Sequence, residues 1–236
     1  KQHARQVITA GSDPSMTSNQ QGAVRDAAAL ADLWLDPVTA FDRPAFNAEA
    51  WSKTEWLENS FDTWKEIAGP VASSVSTAMN TSIQTQMPEE IKGMLGGGNI
   101  FAGIGGMMFG MQVGQATGQL AGEVVSSTDI GIPLAPGRSA LLPGGVAAFG
   151  EGLEIPAQEI MLYLAVREAA LTRLHKANPW LREDIIELIK RYSRGIHVDI
   201  ERMQEAASEI EIDPTNPEEM MAAFSGDMFK PQNTED

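Results

Sequence analysis

A run of glycines places the strongest constraint on how this chain folds. In "GMMFGMQVGQATGQLAG", residues 106–122, glycine occupies every fourth position. Each glycine costs roughly 1 kcal/mol relative to alanine inside a helix, so the pattern requires a compensating contact. A four-residue spacing puts the glycines on one helix face, where a neighbouring helix can approach closely. We therefore predict a buried core helix, whose larger side chains fill gaps elsewhere: Met107, Met108, Phe109 and Met111.

Two other interpretations of this region are disfavoured. Residues 93–122 carry no charge and are long enough to span a bilayer. However, 11 of these 30 residues are glycine, and insertion is driven by large apolar side chains. The stretch "GIGGMMFG" at 103–110 is glycine-rich, but the Gly-Lys-Ser/Thr sequence of a phosphate-binding loop does not follow it.

The charge balance excludes several classes of partner. There are 32 acidic and 17 basic residues, which give a net charge of −15. General nucleic-acid binding and docking on anionic lipid both need a basic surface. The chain has no cysteine, which removes disulfides and thiolate metal ligands. Because no signal peptide is visible either, we predict a cytoplasmic location.

Helical periodicity dominates the chain and predicts a mainly α fold. We expect one multi-helix domain over residues 21–230, with a loose lead-in at 1–20 and a frayed end at 231–236. A small extended or β segment, at 127–145, is expected before the helix discussed below. Its short apolar pieces between Pro and Gly residues are typical of a small hairpin or an edge strand.

Capping signals set the expected helix boundaries. The first clear helical pattern ends at Asp36-Pro37. Ser52 and Glu55 form a capping box, and Trp51 and Trp56 occupy the positions of a hydrophobic staple. The helix that follows is expected to end near Gly69-Pro70. Further helices are expected over 70–86, 88–95 and 156–176, from the Asn178 cap onward, along the stripe Ile196 to Ile210, and after the Asn216 cap.

The helix over 156–176 is the most informative part of the sequence. Its inward stripe is expected to include Ile160, Leu164, Arg167, Leu171 and Leu174. An arginine within an apolar stripe needs a carboxylate partner or a route to solvent.

Several sequence blocks resemble the zincin-like metallopeptidases, a family that includes uncharacterised putative hydrolases. The resemblance covers most of the chain, and its blocks occur in the order of the family. They are "ALADLWLDPVTAF" at 29–41, "AWSKTEW" at 50–56, "GQATGQLAGEVVSSTDIGIPL" at 114–134, "ALLPGGVAAFGEGLEIP" at 140–156 and "NPWLRED" at 178–184. The resemblance implies a mainly helical zincin-like domain and, for active members, a zinc-dependent peptidase or hydrolase activity.

This chain departs from the family at the residues that carry the chemistry. In zincins, HExxH places two zinc-binding histidines on one helix face, with the glutamate as general base. The matching stretch here is Arg167-Glu168-Ala169-Ala170-Leu171. Arginine cannot lose its proton to bind a metal, and leucine has no donor atom. Only Glu168, at the general-base position, is kept, so we expect no zinc and no other cofactor.

Residues elsewhere leave one route to a metal open. Glu168, His175, His197 and Asp199 would be the ligands of a rebuilt zinc site, although nothing in their spacing requires one. We favour a helix-flanking role for His175, a surface position for His197 and a structural salt bridge for Glu168.

The leading hypothesis is a catalytically degenerate zincin-like scaffold that binds an unidentified peptide or protein. Arg167, Leu171 and His175 would line the partner cleft, and segment 127–145 would offer the interaction edge. The second hypothesis is an active metal-dependent hydrolase with non-standard ligands. A third, less favoured, is membrane association through 93–122. The sequence does not indicate an oligomeric state.

Overall fold

The computed structural model describes residues 1–86 and 99–194, and this part of the chain is mainly helical, as predicted. The helices predicted over 88–95, along Ile196 to Ile210 and after Asn216 lie outside the described residues, as does the end at 231–236. The elements, in chain order, are α1 (Gln2–Thr9), α2 (Ser18–Leu35), β1 (Ala48–Ala50), α3 (Lys53–Gln86), α4 (Asn99–Leu120), β2 (Ser139–Leu141), α5 (Pro143–Phe149), α6 (Ala157–Ala177) and α7 (Pro179–Arg194).

A small sheet lies between two groups of helices. Helices α1, α3, α4 and α7 pack together on one side, and α2, α5 and α6 pack on the other. Strand β2 and the residue after it divide their side chains between the two cores, because successive residues of an extended chain point to opposite faces. Ala140 and Leu142 belong to the core that contains Trp51 and Trp56, whereas Leu141 belongs to the core beneath α6.

The small β segment predicted before α6 is present as β2, but it is not the exposed edge strand that was expected. Strand β2 pairs in parallel with β1, where Glu49 is opposite Ala140. On its other side β2 forms an antiparallel bridge between Leu141 and Ser126. All three residues of β2 are buried. The predicted interaction edge is therefore already paired within the chain, and residues 143–149, which begin within the predicted extended segment, form helix α5.

The loose lead-in predicted for residues 1–20 is also wrong, since these residues include α1 and the start of α2. Ala4 and Ile8 of α1 are buried. Helix α2 begins with a capping box in which Thr17 and Gln20 each bind the backbone of the other. The lead-in is thus part of the folded domain, because α1 has a partner that lies more than a hundred residues away.

That partner is the glycine stripe of α4, which confirms the predicted close approach of a second helix. A Cβ atom at Gly118 would lie 2.7 Å from Val7 Cβ and 3.0 Å from the Ala4 carbonyl oxygen. At Gly110 nothing lies within 4 Å of the corresponding Cβ position. Helix α1 therefore packs on the second half of the glycine stripe, at Gly114 and Gly118. Met107, expected to fill a gap, is exposed instead.

Helix α3 runs for 34 residues and continues through Pro70, where an end had been predicted. Proline removes one helical hydrogen bond. Helix α3 packs against α1, α4 and α7, and we infer that this packing outweighs the loss. The start of α3 is as predicted: Ser52 N–H donates to Glu55 at 2.8 Å, and Glu55 N–H donates to Ser52 Oγ at 3.1 Å.

Among the helices within residues 1–86 and 99–194, none combines the length and the apolar character needed to cross a membrane.

Candidate functional site

Helix α6 contains the family motif positions and buries an unusual number of polar side chains. Ile160 and Leu164 are buried, as predicted, but Arg167, Leu171 and Leu174 are only half-buried. The buried positions in the second half of the helix are polar: Glu168, Thr172, Arg173 and His175. The predicted apolar stripe is thus wrong beyond Leu164, because these four side chains find hydrogen-bonding partners on other segments or on the helix itself.

Glu168 is enclosed by hydroxyl groups rather than by the predicted salt bridge. Only 1% of the residue is exposed. Its Oε1 accepts hydrogen bonds from Ser127 Oγ at 2.5 Å and Ser139 Oγ at 3.2 Å. Its Oε2 accepts from Thr128 Oγ1 at 2.5 Å and from Thr128 N–H at 3.2 Å. A carboxylate has about four lone-pair sites, so four donors leave none of them directed at a water molecule.

Arg167 is bound by a carboxylate, as its position in the stripe required. Its Nη1 forms an ion pair with Asp129, and its Nη2 donates to the Asp129 carbonyl oxygen at 3.1 Å. The second carboxylate oxygen of Asp129 accepts from Val125 N–H at 3.0 Å. Asp129 therefore joins the motif helix to the backbone that flanks β2.

His175 lies in the last turn of α6 and is 8% exposed. Its Nε2 is 3.1 Å from the Gly131 carbonyl oxygen. A carbonyl only accepts hydrogen bonds, so Nε2 is the donor in this contact. Nδ1 is buried and has no hydrogen-bonding partner among the described residues.

Most of these contacts involve one short segment, residues 127–131, which we call the clamp segment. Ser127 and Thr128 bind Glu168, Asp129 binds Arg167, and Gly131 binds His175. The clamp segment therefore covers the face of α6 on which a zincin would hold its metal. Of the predicted cleft residues, Arg167 and His175 are brought together by this segment. His197 and Asp199 lie outside the described residues.

Arg173 forms a second buried polar cluster on α6. Its Nη2 donates to Asp32 Oδ1 at 2.6 Å and to Asp36 Oδ1 at 2.9 Å. Asp36 also pairs with Arg43. Hydrogen bonds from Arg43 and then from Arg173 lower the pKa of Asp36 from 3.8 to about 2. This cluster fixes the end of α2 to α6.

The donor set on α6 does not fit zinc. The two positions that hold zinc in HExxH are Arg167, a cation, and Leu171, an aliphatic side chain. Glu168 has its lone pairs occupied, as described above. Within residues 1–86 and 99–194, no group of three or more His, Asp or Glu side chains is arranged to hold a metal ion.

Comparison with known protein families agrees with the sequence blocks. Residues 1–236 match the family described as zincin-like metallopeptidase. The chain belongs to the zincin-like metallopeptidase family. No curated protein and no solved structure gives a significant match.

Sequence reasoning missed the partners of the motif helix. Ser127, Thr128 and Asp129 stand together in "SSTD" at 126–129, within a block that carried the resemblance. A run of hydroxyl and carboxylate side chains next to apolar residues was an available signal. Their contact with α6 was not, because about forty residues separate them from Glu168.

Proposed function

We propose that this zincin-like family member has lost zinc-dependent hydrolysis and acts as a scaffold that binds a peptide or protein. The observation that carries the proposal is the environment of Glu168. A general base must reach the water that it activates. Glu168 is buried and accepts four hydrogen bonds from its own chain.

The replaced motif positions also support a scaffold. Arg167 supplies a fixed positive charge where zincins bind a metal cation, and Asp129 neutralises it within the chain. The polar face of α6 thereby stabilises the fold without a metal. An acidic group of a partner would have to compete with Asp129 for Arg167, so partner binding is better supplied by another surface.

The test is a combined measurement of metal content and peptidase activity. The protein is purified without chelator, dialysed against a trace of zinc, and checked for folding by circular dichroism. We expect no stoichiometric zinc and no hydrolysis of a mixed peptide library. Stoichiometric zinc together with hydrolysis that is lost in Glu168→Gln would overturn the proposal and favour an active hydrolase.

A further inference from the structure

A turn ahead of the motif helix presents apolar side chains to solvent. Residues 151–159, between α5 and the first turn of α6, are all exposed. Four large apolar side chains lie in or beside this turn and are each about half exposed, namely Phe149 (48%), Leu153 (45%), Ile155 (49%) and Tyr163 (61%). The four lie close together in the sequence, and grouped exposed apolar side chains mark interaction sites more often than scattered ones do.

The turn is anchored at both ends. At its start, a Cβ atom at Gly150 would lie 2.7 Å from Ile160 Cδ1, so the end of α5 packs closely on α6. Within it, Leu153 N–H donates to the Gly150 carbonyl at 3.1 Å, and Gly152 has a φ of 78°. At its end, Ile160 N–H donates to the Pro156 carbonyl at 3.2 Å. An anchored turn holds Leu153 and Ile155 in place, which reduces the entropy lost on binding.

The charged residues between Phe149 and Tyr163 in the sequence are all negative. Glu151, Glu154 and Glu159 are exposed, and none of them forms an ion pair with a residue in the described part of the chain. From Ser139 to Val166 the sequence has no lysine, arginine or histidine. Arg167, the next cation, is already paired with Asp129. The three carboxylates are therefore available to cations of a partner.

We propose that the turn surface, formed by Phe149, Leu153, Ile155, Tyr163 and the three glutamates, docks a basic segment of a partner protein. That segment inserts apolar side chains between Leu153 and Ile155 and places lysine or arginine opposite the glutamates. Protein interfaces usually have apolar anchor residues at the centre and polar or charged residues at the rim. The proposal rests on the scaffold function proposed above, since it names the class of partner.

The probe is a fluorescent peptide of alternating lysine and leucine, with a charge-reversed peptide of glutamate and leucine beside it. Binding is followed by fluorescence anisotropy at increasing salt. The basic peptide is expected to bind, and the acidic one is not. L153S/I155S should weaken binding roughly tenfold or more. E151Q/E154Q/E159Q should weaken it at low salt and flatten its salt dependence.

Matched variants separate this surface from the general acidity of the chain. D26N/E183Q/D184N removes three other exposed carboxylates, and L33S/V38S removes two exposed apolar side chains on and after α2. Both should bind the basic peptide as the wild type does. The proposal is overturned if the control and turn variants lose the same affinity, or if the basic peptide does not bind.

This result is distinguishable from failure of the scaffold function. Stoichiometric zinc together with hydrolysis would rule out the proposed scaffold function without changing the peptide affinities measured for the turn surface. Equal binding by turn and control variants, in a protein free of zinc, would remove only the turn surface.

Discussion

Helices α4 and α6 both depart from an ordinary amphipathic pattern, but they bury opposite kinds of surface. Helix α4 lacks side chains at Gly114 and Gly118, and the side chains of His3 and Val7 together with the Ala4 backbone fill the space there. Helix α6 instead buries charged side chains and satisfies them through hydrogen bonds from the clamp segment and α2. In both helices, a residue that is locally unfavourable is explained by a partner distant in sequence.

The largest effect is expected at Arg173, because its removal takes one hydrogen-bond donor from two aspartates and two backbone carbonyls. We expect Arg173→Met to lower the free energy of unfolding by about 3 to 4 kcal/mol. Urea denaturation measures this change. Arg43→Met is the control, since Arg43 is exposed, and should lower the free energy of unfolding much less. Equal costs for the two variants would mean that burial of Arg173 is not what matters.

Glu168 should follow, and its two substitutions should differ. Glu168→Ala leaves three buried hydroxyl groups without their acceptor and opens a small cavity, so we expect a loss of about 3 kcal/mol. Glu168→Gln keeps one acceptor oxygen and should lose about 1 to 2 kcal/mol. A Glu168→Ala protein as stable as the wild type would show that the clamp segment does not depend on this carboxylate.

The glycine stripe provides a matched pair of substitutions. Gly118→Ala places a methyl group against Val7 and the Ala4 carbonyl, and we expect a loss of about 2 kcal/mol. Gly110→Ala meets open space and should leave stability unchanged or raise it by about 0.5 to 1 kcal/mol. Thermal unfolding of both variants tests the assignment. Similar losses of stability in the two variants would contradict the assignment of close packing to Gly118 and of open space to Gly110.

The smallest effect expected is a change in how stability depends on pH, and it concerns Asp36. The pKa of Asp36 is lowered from 3.8 to about 2 in the fold, so the ionised form is stabilised there. Its contribution to stability is complete above about pH 4 and is lost as the pH falls toward 2. The urea midpoint of Asp36→Asn should therefore lie below that of the wild type at neutral pH, and the difference should shrink over this interval. Arg43→Met should weaken this pH dependence of stability. A difference between Asp36→Asn and the wild type that stays constant between about pH 4 and pH 2 would contradict the lowered pKa of Asp36.

Features that depend on neighbours in sequence were predictable. The capping box at Ser52 and Glu55, the stop after α2 and the span of α6 all follow from side chains within a few residues. The close approach of a helix to α4 was also predictable. Its partner α1 was not, because α1 buries only two apolar residues, Ala4 and Ile8, which are too few to show helical periodicity. The path of α3 through Pro70 likewise depends on tertiary packing.

The candidate site was predictable in its motif positions and not in its contacts. Arg167, Glu168 and Leu171 can be placed from the motif alone, as can the need of Arg167 for a carboxylate. That Asp129 is this carboxylate, and that hydroxyl groups surround Glu168, depends on the fold of a segment with no regular secondary structure. The bridge between Ser126 and Leu141 holds the start of that segment beside β2, which itself pairs with β1 from much earlier in the chain.

The hydroxyl groups around Glu168 bear on which motif residues can identify an active member of the family. A glutamate that the fold itself requires would persist through evolution after hydrolysis had been abandoned, since its loss would be penalised as a folding defect. Retention of this one motif residue in a relative would then report descent and stability. If the proposed scaffold function is right, the motif positions 167 and 171, and not position 168, would distinguish an enzyme from an inactive descendant.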